Sequence, residues 1–229
     1  SFIGLPARTL LRASGFGEAA KTEVVTDGVV VETHAGNPLD FVADYQKRFK
    51  VALRQGLPRF CGGLAGYFAY DTVRYIEKRL AVHSLPDEIG VPDIQLMLTE
   101  ELAVVDNVVG KIYFIVYVDP NNTSTYESGM KRLQSLQATL TVSIQMPEEQ
   151  ASKPHPEPIR KFKASDFEDA VRRTKDYILA GDCMQVVIGQ RISRTFTEPP
   201  LQLYRALRSL NPSPYMYFYD FGDLQIVGS

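Results

Sequence analysis

A polar, proline-bearing stretch near the middle of the sequence constrains the fold most, because it divides the chain into two parts. Residues 146–158 read MPEEQASKPHPEP and show neither the twofold spacing of a strand nor the 3.6-residue spacing of a helix. Such a segment is typical of a linker. The sequence therefore predicts an N-terminal domain over residues 1–145, a linker over 146–163 and the beginning of a second domain over 164–229.

The N-terminal part carries signals for several strands and for helices outside them. The dipeptide Asp27-Gly28 stands between runs of valine and predicts a tight hairpin turn. Asn37 followed by Pro38 is typical of a helix start, and apolar residues recur at helical spacing over residues 123–140. Four more strands are predicted, of which the last three would form one antiparallel meander: residues 62–70, 93–98, 101–105 and 111–118.

The second part mixes helices and strands in the same way. Ser165 and Glu168 have the spacing of a capping box, and Gly181 is suited to end the helix that follows. Alternation of apolar and polar residues predicts a long strand over residues 183–196. A helix and a hairpin complete the pattern, at residues 199–210 and at residues 215–219 with 224–227. Antiparallel strands with helices outside them indicate the α+β class.

Composition excludes several classes of protein. The chain has 25 lysines and arginines against 27 aspartates and glutamates, and its basic runs are short, so no nucleic-acid partner is expected. No apolar run approaches the about 18 residues of a membrane-spanning helix, so no membrane is expected either. Cys61 and Cys183 lack the spacing of a zinc or disulfide framework. Two reduced thiols fit a cytoplasmic protein.

Two features suggest a binding site. The segment NPSPYMYF begins at Asn211, and its two prolines, at 212 and 214, fix a rigid corner before Tyr215. Such a corner can bind an amino acid, although an ordinary helix-to-strand connection is the commoner role. Gln185 is a polar amide in the predicted strand, where it would contact a substrate or simply be satisfied within the sheet.

Four long segments, in this order and at this spacing, resemble the large, chorismate-using subunit of anthranilate synthase. They are SFIGLPAR at residues 1–8, GLPRFCGGLAGYFAYDTVRYIE at 56–77, VRRTKDYILAGDCMQVVIGQR at 171–191 and LYRALRSLNPSPYMYF at 203–218. The resemblance implies two orthogonally packed antiparallel sheets with helices outside, incomplete in this chain. It also implies Mg²⁺-dependent conversion of chorismate and ammonia to anthranilate and pyruvate, with the ammonia supplied from glutamine by an amidotransferase subunit and with inhibition by tryptophan.

Site residues carry over from the family unevenly. The family's tryptophan pocket uses the PYM of this corner, which matches Pro214, Tyr215 and Met216 and is adjoined by Asn211 and Tyr217. The pocket's serine belongs to a motif upstream of SFIG. Related isochorismate and salicylate synthases have a water-activating lysine at the position of Gln185. An amide cannot serve as that base, so the resemblance implies ammonia as the nucleophile.

The same resemblance leaves alternatives open. The family's magnesium-binding glutamates, its catalytic histidine and the residues that hold chorismate fall beyond residue 229, so this chain would hold no metal and would be inactive alone. Residues 1–4 lack an initiator methionine and residues 224–228 read as a strand without a closing turn, so we expect a longer natural chain. Aminodeoxychorismate synthase shares the fold and is the alternative enzyme. A noncatalytic regulatory or subunit-binding piece is the alternative class.

Overall fold

The computed structural model describes residues 1–81, 86–143 and 156–229. The chain forms two compact units, Ser1–Gln145 and Met146–Ser229. Residues 146–155 of the predicted linker lie outside the described residues.

The first unit contains eight strands, three α-helices and two short 3₁₀ helices among its described residues. The strands are β1 (Phe2–Gly4), β2 (Thr9–Ser14), β3 (Lys21–Thr26), β4 (Val29–Ala35), β5 (Gly63–Phe68), β6 (Ile94–Thr99), β7 (Glu101–Asp106) and β8 (Lys111–Val116). The α-helices are α1 (Pro38–Lys47), α2 (Lys78–Ala81) and α3 (Thr123–Thr139), and the 3₁₀ helices are Gly17–Ala19 and Tyr70–Tyr75.

The eight strands form two antiparallel sheets. One has five strands in the order β4-β3-β2-β6-β5, and the other has three in the order β1-β7-β8. The predicted single meander over residues 93–118 is therefore wrong, because the chain changes sheet at Glu100, between β6 and β7. Both sides of β6 are already paired, with β2 and β5. Hence β7 pairs with β1 and β8, and the predicted β7–β8 hairpin is confirmed.

The core of the first unit lies between the five-stranded sheet and α1. Alternation places one face of β2, β3 and β6 inside, and the aromatic stripe of α1 packs on that face. Burial of each large apolar side chain stabilises the fold by about 1.5–3 kcal/mol. The buried members are Leu11, Ala13, Val24, Phe41, Tyr45, Ile94 and Leu96.

Two local predictions in this unit are confirmed. Asp27 and Gly28 both have positive φ, 51° and 82°, and form the two-residue turn between β3 and β4. The side chain of Asn37 accepts a hydrogen bond from the Leu39 N–H at 3.0 Å, with Pro38 as the first residue of α1. Both features form within a few residues of sequence.

The second unit contains four short strands and two long helices among its described residues. They are β9 (Ile159–Arg160), α4 (Ala164–Ala180), β10 (Ile192–Ser193), α5 (Pro200–Leu210), β11 (Tyr217–Asp220) and β12 (Gln225–Gly228). β9 pairs with β10, and β11 pairs with β12, each antiparallel. α5 packs against the β11–β12 hairpin.

The predicted strand over residues 183–196 is wrong except at Ile192–Ser193. A strand needs a neighbour to bond its backbone, and β9, which pairs with β10, is two residues long. Residues 183–191 form no strand, and Met184 and Val187 are exposed. The alternation of apolar and polar residues indicated a long strand, but among the described residues only Ile192 and Ser193 have a partner strand, which is β9.

The start of α4 differs from the prediction, whereas its end agrees with it. The helix begins at Ala164 after Lys163, with no side-chain cap, so Ser165 stands inside the first turn and the predicted capping box is wrong. At the other end Gly181 has φ 83°, and the Asp182 N–H donates to the Tyr177 carbonyl at 3.0 Å. This is the bond pattern of a glycine-terminated helix.

The α+β class with antiparallel sheets is thus confirmed. None of the helices in residues 1–81, 86–143 and 156–229 combines the length and apolar character needed to span a bilayer.

Candidate functional site

The predicted corner lies between α5 and β11 and is built from backbone turns. At Asn211 the chain leaves helical geometry, with φ −141° and ψ 69°, while its N–H still donates to the Leu207 carbonyl at 2.8 Å. The Ser213 hydroxyl then accepts the N–H of Tyr215 at 3.4 Å. Pro214 and Tyr215 form a turn, so β11 starts at Tyr217 and the predicted strand start at residue 215 is wrong. The Tyr215 N–H is bonded to the Ser213 hydroxyl within this turn and is therefore not donated to a neighbouring strand.

The corner presents its side chains to the outside of the second unit. Tyr215 is 84% exposed, and Asn211 and Pro214 are exposed as well. Met216 is half-buried and Tyr217 is 42% exposed. The five predicted tryptophan-site residues already lie within seven consecutive residues of the sequence, and the structure leaves the aromatic Tyr215 accessible. A free aromatic ring beside a rigid backbone turn is suited to contact a planar ligand.

An aromatic row continues the corner along one face of β11. The ring centroids of Tyr217 and Tyr219 are 5.5 Å apart, and those of Tyr219 and Phe221 are 6.0 Å apart. Phe218, on the opposite face, packs against Tyr204 of α5 at 6.1 Å. The residues at 219 and 221, which extend this row, were not singled out from the sequence. The alternation of aromatics in YFYDF could have shown them, because side chains two apart share a face.

Gly228 fixes where the Tyr217 ring lies. The two residues are direct partners in the β11–β12 register. A Cβ on Gly228 would overlap the phenol end of Tyr217 and lie 2.7 Å from Cε1 of its ring. The ring thus occupies the space that a side chain at this position would fill. The Tyr217 ring can keep this position beside β12 because residue 228 is glycine.

The turn beyond the row is held by one carboxylate. Asp220 accepts hydrogen bonds from the Gly222 N–H and from the Gln225 side-chain amide, both at 3.0 Å. The Phe221 N–H donates to the Leu224 carbonyl at 2.9 Å, and the Phe221 side chain is buried. These bonds fix the hairpin that carries the aromatic row.

Gln185, the predicted catalytic-site residue, is exposed and lies in the irregular segment before β10. An exposed side-chain amide can form hydrogen bonds with water, so Gln185 does not need a hydrogen-bond partner in the protein. No hydrogen bond is found between Gln185 and the corner within the described ranges. Its proximity to substrate stays a prediction.

Among the described residues, no cluster of side chains stands out as a set of ligands for a divalent metal. Groups of three or more histidine, cysteine, aspartate or glutamate side chains close enough to share an ion are absent from the described residues. Mg²⁺ prefers several carboxylate and water oxygens in octahedral geometry. No magnesium site is therefore assigned to the described residues, and no chemical step is assigned to the ion.

One half-buried carboxylate in the first unit is electrostatically unusual. Burial raises the pKa of Asp93, and the nearby Asp71 and Asp87 act in the same direction. Hydrogen bonds from the Gly15 N–H and from the Tyr75 hydroxyl, the latter at 3.3 Å, oppose that rise in pKa. The Asp93 backbone also bonds to β2 and to Ala69 after β5. Asp93 therefore joins several elements of the fold.

Comparison with known proteins is decisive for the family. A family model described as chorismate binding enzyme matches residues 7–229. The chain belongs to the chorismate-binding enzyme family. The aromatic corner and the hairpin after it thus lie within the matched family region, as does most of the first unit.

Curated members of this chorismate-binding family are similar to the chain over its whole length. Anthranilate synthase component 1 of Pseudomonas putida is 50% identical over 236 residues, which cover 100% of this chain and 47% of that protein. The protein of the same name from Pseudomonas aeruginosa is 48% identical, with coverage of 100% and 47%. The chain thus spans about half the length of these relatives.

A solved member of the family has the same fold. The crystal structure of anthranilate synthase component I from Streptococcus pneumoniae TIGR4 matches with a TM-score of 0.75 and 30% identity. The match covers 100% of this chain and 49% of that one.

Proposed function

We propose that this chain is part of an anthranilate synthase component I, which converts chorismate and ammonia to anthranilate and pyruvate. The observation that supports this is the match over the entire chain, at about half identity, to proteins that carry this name. The parent enzyme would be a carbon–oxygen lyase of tryptophan biosynthesis. The two free cysteines, Cys61 and Cys183, are compatible with a cytoplasmic location.

Gln185 is proposed to lie near the chorismate ring in the complete enzyme. Its amide does not ionise near neutral pH, so it cannot take a proton from water. Ammonia needs no such base when it arrives uncharged. The residue would therefore favour addition of nitrogen over addition of oxygen, which agrees with an aminating enzyme.

The ammonia is proposed to come from glutamine through a separate amidotransferase subunit. Mg²⁺ is proposed as the cofactor, with ligands that the described residues do not include. The 229-residue chain alone should then form no anthranilate from chorismate, even with excess ammonia and Mg²⁺. Anthranilate fluorescence in that assay would contradict this part of the proposal.

The corner with Asn211, Pro214, Tyr215, Met216 and Tyr217 is proposed to bind tryptophan as a feedback inhibitor. Its exposed tyrosine and rigid turn support an aromatic amino acid as the ligand. Inhibition would follow if tryptophan prefers one global state of the enzyme over another. The site would then act at a distance from the reaction.

The variant Met216→Glu tests the tryptophan site in the full-length protein. Met216 is half-buried, so a carboxylate there would disfavour an indole ring. We expect the tryptophan concentration for half inhibition, measured against the variant's own uninhibited rate, to rise at least about tenfold. The matched control Leu179→Glu adds the same charge at a position that is 86% exposed in this chain. Equal inhibition of Met216→Glu and the control would contradict the site.

A further inference from the structure

The turn between β3 and β4 contains a dipeptide that is able to modify itself chemically. Asp27-Gly28 is the one place in the 229 residues where an aspartate or asparagine precedes a glycine. In such a pair the backbone nitrogen of the glycine can attack the side-chain carboxyl before it, because glycine has no side chain to hinder the approach. Both residues are exposed, and the position of a Cβ on Gly28 has no neighbour within 4 Å. The Gly28 nitrogen is therefore not shielded on that side.

The reaction needs no reagent other than water, and no atom changes its oxidation state. The Gly28 nitrogen forms a bond to Cγ of Asp27, and the bond from Cγ to one oxygen breaks. That oxygen leaves as water, with the amide proton and the proton of the carboxyl, and a five-membered cyclic imide remains. Water then adds to the main-chain carbonyl carbon of the imide and breaks its bond to nitrogen. The chain now runs through Cβ and Cγ, and the residue is isoaspartate.

Arg8 holds both the side chain and the main chain of Asp27. Its Nε donates to Oδ1 at 3.0 Å and its Nη2 donates to Oδ2 at 2.5 Å, so one planar guanidinium bonds both carboxyl oxygens. The Asp27 N–H donates to the Arg8 carbonyl at 2.8 Å. Arg8 directly precedes β2, which pairs with β3. The turn is thus tied to the neighbouring strand through a single residue.

These bonds oppose the reaction in two ways. The carboxyl must lose an oxygen as water, which is easier from the neutral acid than from the carboxylate. The hydrogen bond from Arg8 holds the pKa of Asp27 below its ordinary value, so the neutral acid is scarcer at any pH above that pKa. Attack also requires Cγ to turn toward the Gly28 nitrogen, whereas the two bonds from the guanidinium direct both oxygens toward Arg8.

Isoaspartate at residue 27 would damage the edge of the five-stranded sheet. The turn has two residues, both with positive φ, which fits Thr26 directly opposite Val29. An additional backbone methylene in this turn would shift that register. β4 also carries Glu32, which bonds at 2.6 Å and 2.7 Å to Arg48 at the end of α1. The modification should therefore weaken the attachment of α1 to the edge strand.

We propose that Asp27-Gly28 is the site at which this chain converts to isoaspartate, and that Arg8 is the residue that slows the conversion. The product carries a free α-carboxylate, which makes it a substrate of the class that protein carboxyl methyltransferases accept. The conversion involves neither chorismate nor the corner at residues 211–217. It can therefore be tested whether or not the proposed function holds.

Two arginine variants of the full-length protein test the role of Arg8. Arg8→Gln removes the bonds to Asp27, whereas the matched control Arg48→Gln breaks another partly exposed arginine–carboxylate pair, with Glu32, away from the turn. The proteins are incubated at mildly acidic pH, and isoaspartate in the proteolytic peptide that contains residue 27 is measured by mass spectrometry with electron-transfer fragmentation. We expect Arg8→Gln to convert at least about threefold faster than the unaltered protein, and Arg48→Gln to differ less than about twofold.

The outcomes separate the site from its protection. Absence of isoaspartate at residue 27 in Arg8→Gln, with isoaspartate forming elsewhere in the chain or nowhere, would overturn the site. Equal rates of conversion in Arg8→Gln and the unaltered protein would overturn the role of Arg8.

Salt provides a second test, which stands even if Arg8→Gln does not fold by circular dichroism. About 1 M salt screens the interaction between exposed charges. Conversion of the unaltered protein should therefore become faster as salt is added, while conversion of Arg8→Gln, which lacks the pair, should change little. A rate in the unaltered protein that does not respond to salt would overturn the protection by Arg8.

Discussion

Replacement of Gly66 by alanine should break the close approach of β5 to β6. A Cβ at this position would overlap the carbonyl oxygen of Gln95 and lie 2.9 Å from Cα of Leu96. Both atoms belong to the backbone, so no side-chain rotation can relieve the overlap. Overpacking of a protein interior destabilises the folded state by up to about 3 kcal/mol. Alanine also reduces the conformational entropy of the unfolded chain relative to glycine, which offsets about 0.7 kcal/mol of that loss. We expect Gly66→Ala to lower the free energy of unfolding by about 2 kcal/mol.

The matched control is Gly4→Ala in β1. A Cβ there would meet only Cγ2 of Thr99, at 3.8 Å, which is ordinary contact. This variant should be neutral or more stable by about 0.5 kcal/mol. Urea unfolding followed by far-ultraviolet circular dichroism suits a chain without tryptophan, and hydrogen exchange over residues 63–68 locates the effect. Equal stability of the two variants would refute the reasoning from backbone overlap.

Three further predictions concern single residues. Asp93 has a raised pKa, so its carboxyl binds a proton more tightly in the folded state than in the unfolded state, and the stability of the chain falls as pH rises from about 4 through that pKa. The variant Asp93→Asn lacks this loss, so its free energy of unfolding in urea, relative to that of the unaltered chain, should increase over the same pH range. A difference that stays constant with pH would contradict this. Gly228→Ala should displace the Tyr217 ring, and in the full-length protein it should weaken tryptophan inhibition several-fold in a titration; full inhibition would argue against Tyr217 as a contact. Gly181→Ala should destabilise α4 by about 1 kcal/mol, because φ is 83° there, and unchanged exchange of the last α4 amides would oppose it.

Features set by a few neighbouring residues were predictable from the sequence. The Asp27-Gly28 turn follows from the positive φ that a two-residue hairpin requires, and the start of α1 follows from Asn37 and Pro38. The strand predicted over residues 62–70 is present as β5 (Gly63–Phe68), in which Gly66 lies against the backbone of Gln95. Each of these depends on local conformation or on one adjacent strand.

Features set by distant residues were not predictable in the same way. The alternation over residues 183–196 indicated a strand, but a strand also needs a neighbour, and only Ile192–Ser193 has one. The change of sheet at Glu100 depends on both sides of β6 being paired already. Neither condition is visible in a local pattern.

The candidate site shows the same division. The prolines of the corner indicated a rigid turn, and the turn is present at Pro214–Tyr215. The position of the Tyr217 ring depends on Gly228 eleven residues later, through the strand register. The pairing of Tyr217 with residue 228 could be seen only once the hairpin register was known.

The product formed from ¹⁵N-labelled ammonia and chorismate by the full-length protein, with Mg²⁺ present, tests the central claim most directly. Mass spectrometry should find ¹⁵N in anthranilate, with one pyruvate released for each molecule formed. Labelled aminodeoxychorismate that keeps its enolpyruvyl group, with no pyruvate released, would contradict the account.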